Sequence, residues 1–423
     1  MPRFPGLTAP ARLSLATAVT LPAIAARLGG SHLAPLAALL VFGTAVVGAS
    51  FLLAWSAEAA EIDVSGGLTI AALAVVAVLP EYAVDLYFAW VSGHAPAYAA
   101  YATANMTGSN RLLLGLGWPV VVFASIGWGL TLRRKPRQRR SETATDHRLR
   151  ALALDGHNRT EVAFLALAGI LALALPILGS IPLALGLVML ALFAWYLVTV
   201  ARAPTEEPEL IGTPARLAAL PRRRRRLTVG ALFVLAAGVT LLCAEPFAHA
   251  LLDTGSTYGI NRFLLVQWLG PLASEAPEFI IAIIFAARGR GTAALATLLS
   301  SKVNQWTMLI GSLPLAHLVG GGAGALPLDP RQVEEVLLTA TQTMLGVTLL
   351  LGMSLSRRAA WALLGLFAVQ FVLPGEHARL LLSAVYAALA AVLLVVHRRQ
   401  VRPTIRSLFP EQRPTVRAPT LKR

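Results

Sequence analysis

Twelve apolar stretches joined by polar connections dominate this chain and leave few folds open to it. They run at about residues 13–29, 33–57, 66–92, 97–132, 160–178, 180–201, 227–252, 260–288, 292–319, 333–356, 359–374 and 377–397. A bilayer span takes about 20 mostly apolar residues, so nearly every stretch is long enough to cross one. Only 13% of the 423 residues are charged, against about 25% in soluble domains. A water-soluble globule and a single-span receptor are both excluded, and an all-α polytopic membrane protein is expected. The first stretch is short, carries Pro22 and follows Arg3 and Arg12; it has the look of a signal peptide but is read as a span. The net charge of +15 raises nucleic acid as a partner. The basic residues lie between the stretches and in the tail, with few aromatics among them, so no nucleic-acid partner is expected. Cys243 is the one cysteine, which excludes an intrachain disulfide and a cysteine metal site.

Lysine and arginine set the orientation, because loops rich in them stay cytoplasmic. Nine fall in 133–159, seven in 202–226 and eight from Arg398 onward. Twelve alternating spans with both termini inside put all of these on the cytoplasmic side, together with Arg288, Arg290, Arg357 and Arg358. The expected division is 1–132 for the N-terminal helices and a first repeat, 160–201 for a helical pair, and 227–397 for the second half. The segments 133–159, 202–226 and 398–423 are expected to be basic, mobile cytoplasmic connections. Their basic runs suit anionic headgroups, so membrane lipid is an expected partner. The plasma (inner) membrane is the expected location.

The two halves repeat each other. LPEYAVDLYFAW from Leu79 aligns with APEFIIAIIFAA from Ala276, matching Pro80–Glu81 to Pro277–Glu278. YATANMTGSN from Tyr101 aligns with LATLLSSKVN from Leu295, matching Asn110 to Asn304, and Gly117 then falls on Gly311. Upstream, Leu52 to Glu58 is similar to Leu241 to Glu245, each ending in Ala-Glu. The connection at 93–96 falls outside and its counterpart at 288–291 inside, so the repeats are inverted. Inverted repeats with interrupted helices are a transporter design, with cargo bound where the repeats meet.

An ionisable residue within a span costs about 2.5–3.5 kcal/mol on insertion scales, so each calls for a reason. Four acids qualify: Glu81 and Asp85 in the first repeat, Glu275 and Glu278 in the second. Their spacings of four and three project each pair from one helix face. Pro80 and Pro277 open the turn before Glu81 and Glu278, and carboxylates beside freed carbonyls suit a hard cation. Asn105, Thr107, Ser109 and Asn110, with Ser300, Ser301 and Asn304 across from them and Gln305 alongside, add neutral oxygens. Lys302, about 15 Å along its helix from the cytoplasmic end, needs an anionic partner, and Glu275 and Glu278 are the expected ones. His94, His249 and His317 form no cluster, and no phosphate loop, His-Glu-x-x-His string or nucleophile elbow occurs.

These elements resemble the sodium/calcium exchanger, or cation/calcium exchanger, superfamily. Its inverted repeats carry Gly-Thr-Ser-x-Pro-Glu followed by Gly-Asn-x-x-Gly-Ser-Asn, and Ala104 to Asn110 keeps most of the second element. The resemblance implies about 12 transmembrane helices in two inverted repeats of five plus extra terminal helices, with Glu81 and Glu278 binding calcium. Where the family has Thr-Ser, this chain has Ala77 and Val78 in one repeat and Ser274 and Glu275 in the other. Lys302 stands where the first repeat has Gly108. The expected cation ligands are Glu81, Asp85, Asn105, Asn110, Ser274, Glu275, Glu278, Ser301 and Asn304, with Lys302 compensating charge. Hydroxyls are lost and carboxyls gained, so exchange of calcium or sodium for protons is expected ahead of sodium/calcium exchange. A membrane-embedded enzyme and a non-enzymatic scaffold are the weaker readings. No resident cofactor is expected; the cations are cargo.

Overall fold

The computed structural model describes residues 8–63, 79–133, 151–202, 210, 212–372 and 375–409. Among these the chain is almost wholly helical: α1 Ala9–Ala18, α2 Leu21–Leu28, α3 Pro35–Ala60, α4 Leu79–Ser92, α5 Ala99–Leu112, α6 Trp118–Arg133, α7 Arg159–Ala172, α8 Ala174–Leu178, α9 Leu183–Ala201, α10 Thr213–Ala218, α11 Arg222–Tyr258, α12 Arg262–Ser274, α13 Ala276–Ala287, α14 Gly291–Asn304, α15 Ile310–Val319, α16 Pro330–Leu350, α17 Arg357–Val372, α18 Glu376–Val396 and α19 Arg398–Arg406. Among the described residues eight helical segments are long and apolar enough to cross a membrane, or nine if the bent pair α12–α13 is one span. Ala9–Leu28, the segment with the look of a signal peptide, is one of the eight.

Local chemistry sets several boundaries. Asp329 and Gln332 form a reciprocal capping box that starts α16. Asn261 accepts from the Phe263 and Leu264 amides to start α12. Gly259, at φ 67°, ends the 37-residue α11 in a left-handed conformation that a side chain would resist. The connections are less loose than expected. Residues Ala151–Ala153 pair antiparallel with Ser354–Ser356, and Ser180–Pro182 with Ala325–Pro327. In the basic linker α10 is helical and α11 begins at Arg222, while the tail opens with α19. These parts of the connections are thus helix or strand. An arginine run has good helix propensity, and α11 already has a nucleus to extend.

Asp63, just beyond α3, shows what holds one such basic run. Its carboxylate takes Arg225 at 2.6 Å, with Arg226 at 3.3 Å and Arg222 at 3.9 Å. The Arg225 hydrogen bond lowers the Asp63 pKa from 3.8 to about 2. A depressed folded-state pKa gives stability that is complete above the unfolded value and is lost as pH falls through the folded one. Thermal unfolding in detergent should therefore show an Asp63 contribution that is constant above about pH 4 and fades toward pH 2. In Asp63→Asn that acid-range component should be missing; an unchanged acid limb would show that the contact is not stabilising.

Candidate cation site

Proline-led turns position the acids. In α13 Pro277 lies in the first turn, where a missing N–H costs little, and the axis bends by 54° between α12 and α13. Glu275 is the residue at that break. The expectation that Glu275 and Glu278 share one continuous helix face is thus corrected, because the bend re-aims Glu275. In the first repeat Glu81 lies in the first turn of α4, while Ala77 and Val78 lie outside the described residues.

Glu81, Asp85 and Glu275 are buried and Glu278 is half-buried. Glu81 lies beside Glu275 and Glu278, with Ser109 and Gln305 next to it. Asp85, one turn further along α4, faces Glu81 and Asn105. Gln305 donates its Nε2 to Glu275 Oε1. Acids from both repeats therefore meet, with amides and a hydroxyl between them. Among the described residues no three His, Cys, Asp or Glu side chains close into a metal cage. The site is instead a mixed set of oxygens.

Eight of its buried polar atoms make no hydrogen bond of good geometry within the protein: Glu81 Oε1, both Asp85 oxygens, both Asn105 amide atoms, Ser109 Oγ, Gln305 Oε1 and Glu278 Oε2. Leaving one such atom unsatisfied costs about 1–3 kcal/mol. A concentration of them is what a cation with its remaining waters would satisfy.

The two asparagines behave differently. Asn110 accepts from Lys302 Nζ at both its backbone oxygen, 2.8 Å, and its Oδ1, 3.2 Å. Asn304 accepts from the Tyr82 hydroxyl at Oδ1, 2.8 Å, and more distantly at its backbone oxygen, 3.4 Å. Lys302 is fully buried and makes no ion pair with Glu275 or Glu278. Of the two expected partners Glu275 is an electrostatic neighbour of Lys302, while the direct hydrogen bonds of Nζ run across the repeat interface to Asn110 on α5. Ser274 spends its hydroxyl on carbonyls of its own helix, at 3.3 and 3.4 Å. Ser301 is half-buried and takes no part in the hydrogen bonds above.

A π-helical segment follows each asparagine, Leu113–Gly117 after Asn110 and Gln305–Leu309 after Asn304. This widened turn is common at functional positions, and here it recurs in both repeats. Gln305 belongs to the second one. Sequence reading had set Gln305 beside the ligands without counting it, and it missed Tyr82, whose signal was only its place next to Glu81.

Glu58 was also missed, although the Ala-Glu match with Glu245 pointed to it. Glu58 is an electrostatic neighbour of Glu278, and it lines a largely apolar cavity of about 450 Å³ between α1, α3 and α13. Glu245 instead pairs with Arg27. The histidines stay apart as expected: Tyr87 meets His249 at 2.8 Å, Ser92 meets His317 at 2.7 Å, and His94 contacts the Gly320 carbonyl at 3.3 Å.

Backbone contact between α5 and α12 holds the neutral ligands in place. A Cβ on Gly108 would lie 1.7 Å from the Gln267 carbonyl oxygen, and one on Gly270 would lie 2.3 Å from Asn105 Oδ1. Only glycine lets these helices approach so closely. Gly108→Ala should cost about 3 kcal/mol or more, at the upper end for overpacking, since the opposing atom is backbone. The check is a drop in thermal midpoint with loss of transport; a midpoint within the error of the parent would mean that the helices part easily.

The profile of the sodium/calcium exchanger protein family matches residues 34–202 and 228–375. The structure is similar to the crystal structure of H+/Ca2+ exchanger CAX, with 41% identity, TM-score 0.86, and coverage of 95% of this chain and 97% of that one. It also shares its fold with native YfkE, at 13% identity, TM-score 0.58 and coverage of 89% and 99%. The sodium-calcium exchanger NCX_Mj shares the fold too, at 15% identity, TM-score 0.52 and coverage of 80% and 97%. A search of curated proteins returns no match.

Proposed function

Because this chain belongs to the sodium/calcium exchanger protein family, we propose that it is a secondary active antiporter moving Ca2+ against protons. The carrying observation is the clustering of Glu81, Asp85 and Glu275, all buried, with the half-buried Glu278, from the two inverted repeats. Calcium takes 6–8 oxygens in flexible geometry, which the carboxyls with Asn105, Ser109 and Gln305 can supply. When calcium leaves, four acids this close in low dielectric cannot all stay charged, so protons replace the cation. The similarity to H+/Ca2+ exchanger CAX supports the same ion pair. Glu81, Glu275 and Glu278 are the assigned ligands, and Asp85 and Glu275 are the assigned proton-coupling groups.

Twelve spans, five in each inverted half with additional helices at the ends and both termini cytoplasmic, is the topology we assign. Four contacts favour it, because each joins segments that this reading places on one side. They are Ala151–Ala153 with Ser354–Ser356 and Asp63 with Arg225 on the cytoplasmic side. On the outside they are Ser180–Pro182 with Ala325–Pro327 and Arg27 with Glu245.

The test is purified protein in liposomes, with calcium and pH followed under imposed gradients. A pH gradient alone should drive calcium uptake; uptake that needs a sodium gradient and ignores pH would replace this reading with sodium/calcium exchange. Flux in the parent should rise steeply with pH, because protons compete for the ligands. Asp85→Asn and Glu275→Gln should each lose much of that slope. If both keep the parent's pH profile, neither group carries the coupling proton.

A further inference from the structure

We propose that Lys302 and Tyr82 are built-in occupants of two asparagine oxygen pairs, and that by filling them they confine transported cations to the carboxylate cluster and make the exchange independent of sodium. This rests on the calcium/proton reading above. Asn110 and Asn304 occupy matching positions in the inverted repeats, and each presents a backbone oxygen and an amide oxygen to one point. Paired neutral oxygens are what a hard monovalent cation takes from a protein. At both asparagines the point is held by a donor from the other repeat: Lys302 of the second repeat on Asn110, Tyr82 of the first on Asn304.

The donors are not repeat mates of each other. Lys302 aligns with Gly108, and Tyr82 aligns with Phe279; neither mate can donate from its side chain. Two unrelated positions have thus acquired donors that reach equivalent oxygens. A packing role does not explain Lys302. A fully buried lysine with no carboxylate at ion-pair distance is costly; Glu275 acts on it only at longer range, and its nitrogen donates to the two Asn110 oxygens and lies 6.0 Å from the centroid of the Trp306 ring. A tethered nitrogen cannot be exchanged across the membrane, so the oxygens it fills are withdrawn from transport.

The test compares calcium flux in sodium with flux in choline at equal ionic strength, which keeps screening constant. The parent should give the same flux in both. Lys302→Gly and Tyr82→Phe restore the residue of the matching repeat and remove one donor each. In each variant the flux in sodium should differ from that in choline by about fivefold or more. Folded variants that exchange calcium for protons equally in both salts overturn the proposal, and insensitivity in one alone overturns it for that residue.

If Lys302→Gly fails to fold, calcium binding to the parent decides its half. An affinity unchanged between sodium and choline supports the proposal, and sodium competition overturns it. The underlying reading fails separately: a parent with no proton-driven calcium flux refutes the antiport assignment before any variant is compared.

Discussion

Glu81→Gln and Glu278→Gln should each abolish calcium/proton exchange in liposomes while leaving the protein folded. Glutamine keeps the shape of the side chain and one carbonyl oxygen, so the substitution isolates the charge and the exchangeable proton. Glu81 is the most connected acid of the cluster, beside Glu275, Glu278, Ser109 and Gln305. If Glu81 is a ligand as proposed, removing its charge should weaken calcium binding. Glu278 comes from the other repeat at the matching position and has Glu58 for a neighbour on the side of the apolar cavity. Losing one of several carboxylates around a divalent ion should reduce flux by about 100-fold or more, equivalent to at least 2.7 kcal/mol. Flux near the parent's in either variant, with an unchanged thermal midpoint, would remove that residue from the ligand set.

Breaking the Arg111–Glu335 pair should have the largest effect on stability. Arg111 follows Asn110 on α5, and its guanidinium meets Glu335 of α16 at 2.6 Å, with the two side chains only 3% and 4% exposed. It also donates to Gln370 at 2.9 Å and to the Thr107 carbonyl at 3.3 Å, and it lies 5.1 Å from the centre of the Trp268 ring. Arg379 joins the same group through Glu334, at 2.7 Å. Removing one member of a buried pair leaves an uncompensated charge, at a cost of about 3–5 kcal/mol. Arg111→Met and Glu335→Leu should each lower the thermal midpoint in detergent strongly. The double variant should lose clearly less than the two losses combined, since it buries no lone charge. Simple additivity in that cycle would mean that the pair is not coupled.

Arg111 marks where sequence reading stopped. Its burial within an apolar stretch was legible, but its partner, more than 200 residues away, was not. The same holds at the site. The repeat pairs Pro80–Glu81 with Pro277–Glu278 by pattern alone, and the structure sets Glu81 beside Glu278. For Lys302 proximity along the chain pointed to Glu275 and Glu278; Glu275 is its electrostatic neighbour, but the hydrogen bonds of the side chain cross to Asn110, which the chain order did not show. The Ala-Glu match of Glu58 with Glu245 concealed a difference: one faces an acid of the site and the other pairs with Arg27.

The sequence by itself determined the solvent, the class of fold and the family. Apolar length, the placement of basic residues and self-similarity are local or periodic quantities, and a bilayer translates them directly into helices and their direction. It also singled out the four acids, since charge in an apolar stretch is conspicuous whatever surrounds it. Only the tertiary structure decided which oxygens face a common centre and which are taken by the protein's own donors. Asn110 and Asn304 are matched positions along the chain. What separates them is helix rotation, the 54° bend at Glu275 and the close backbone approach at Gly108. Each of these depends on contacts between residues far apart in the chain, and a one-dimensional pattern carries no record of them.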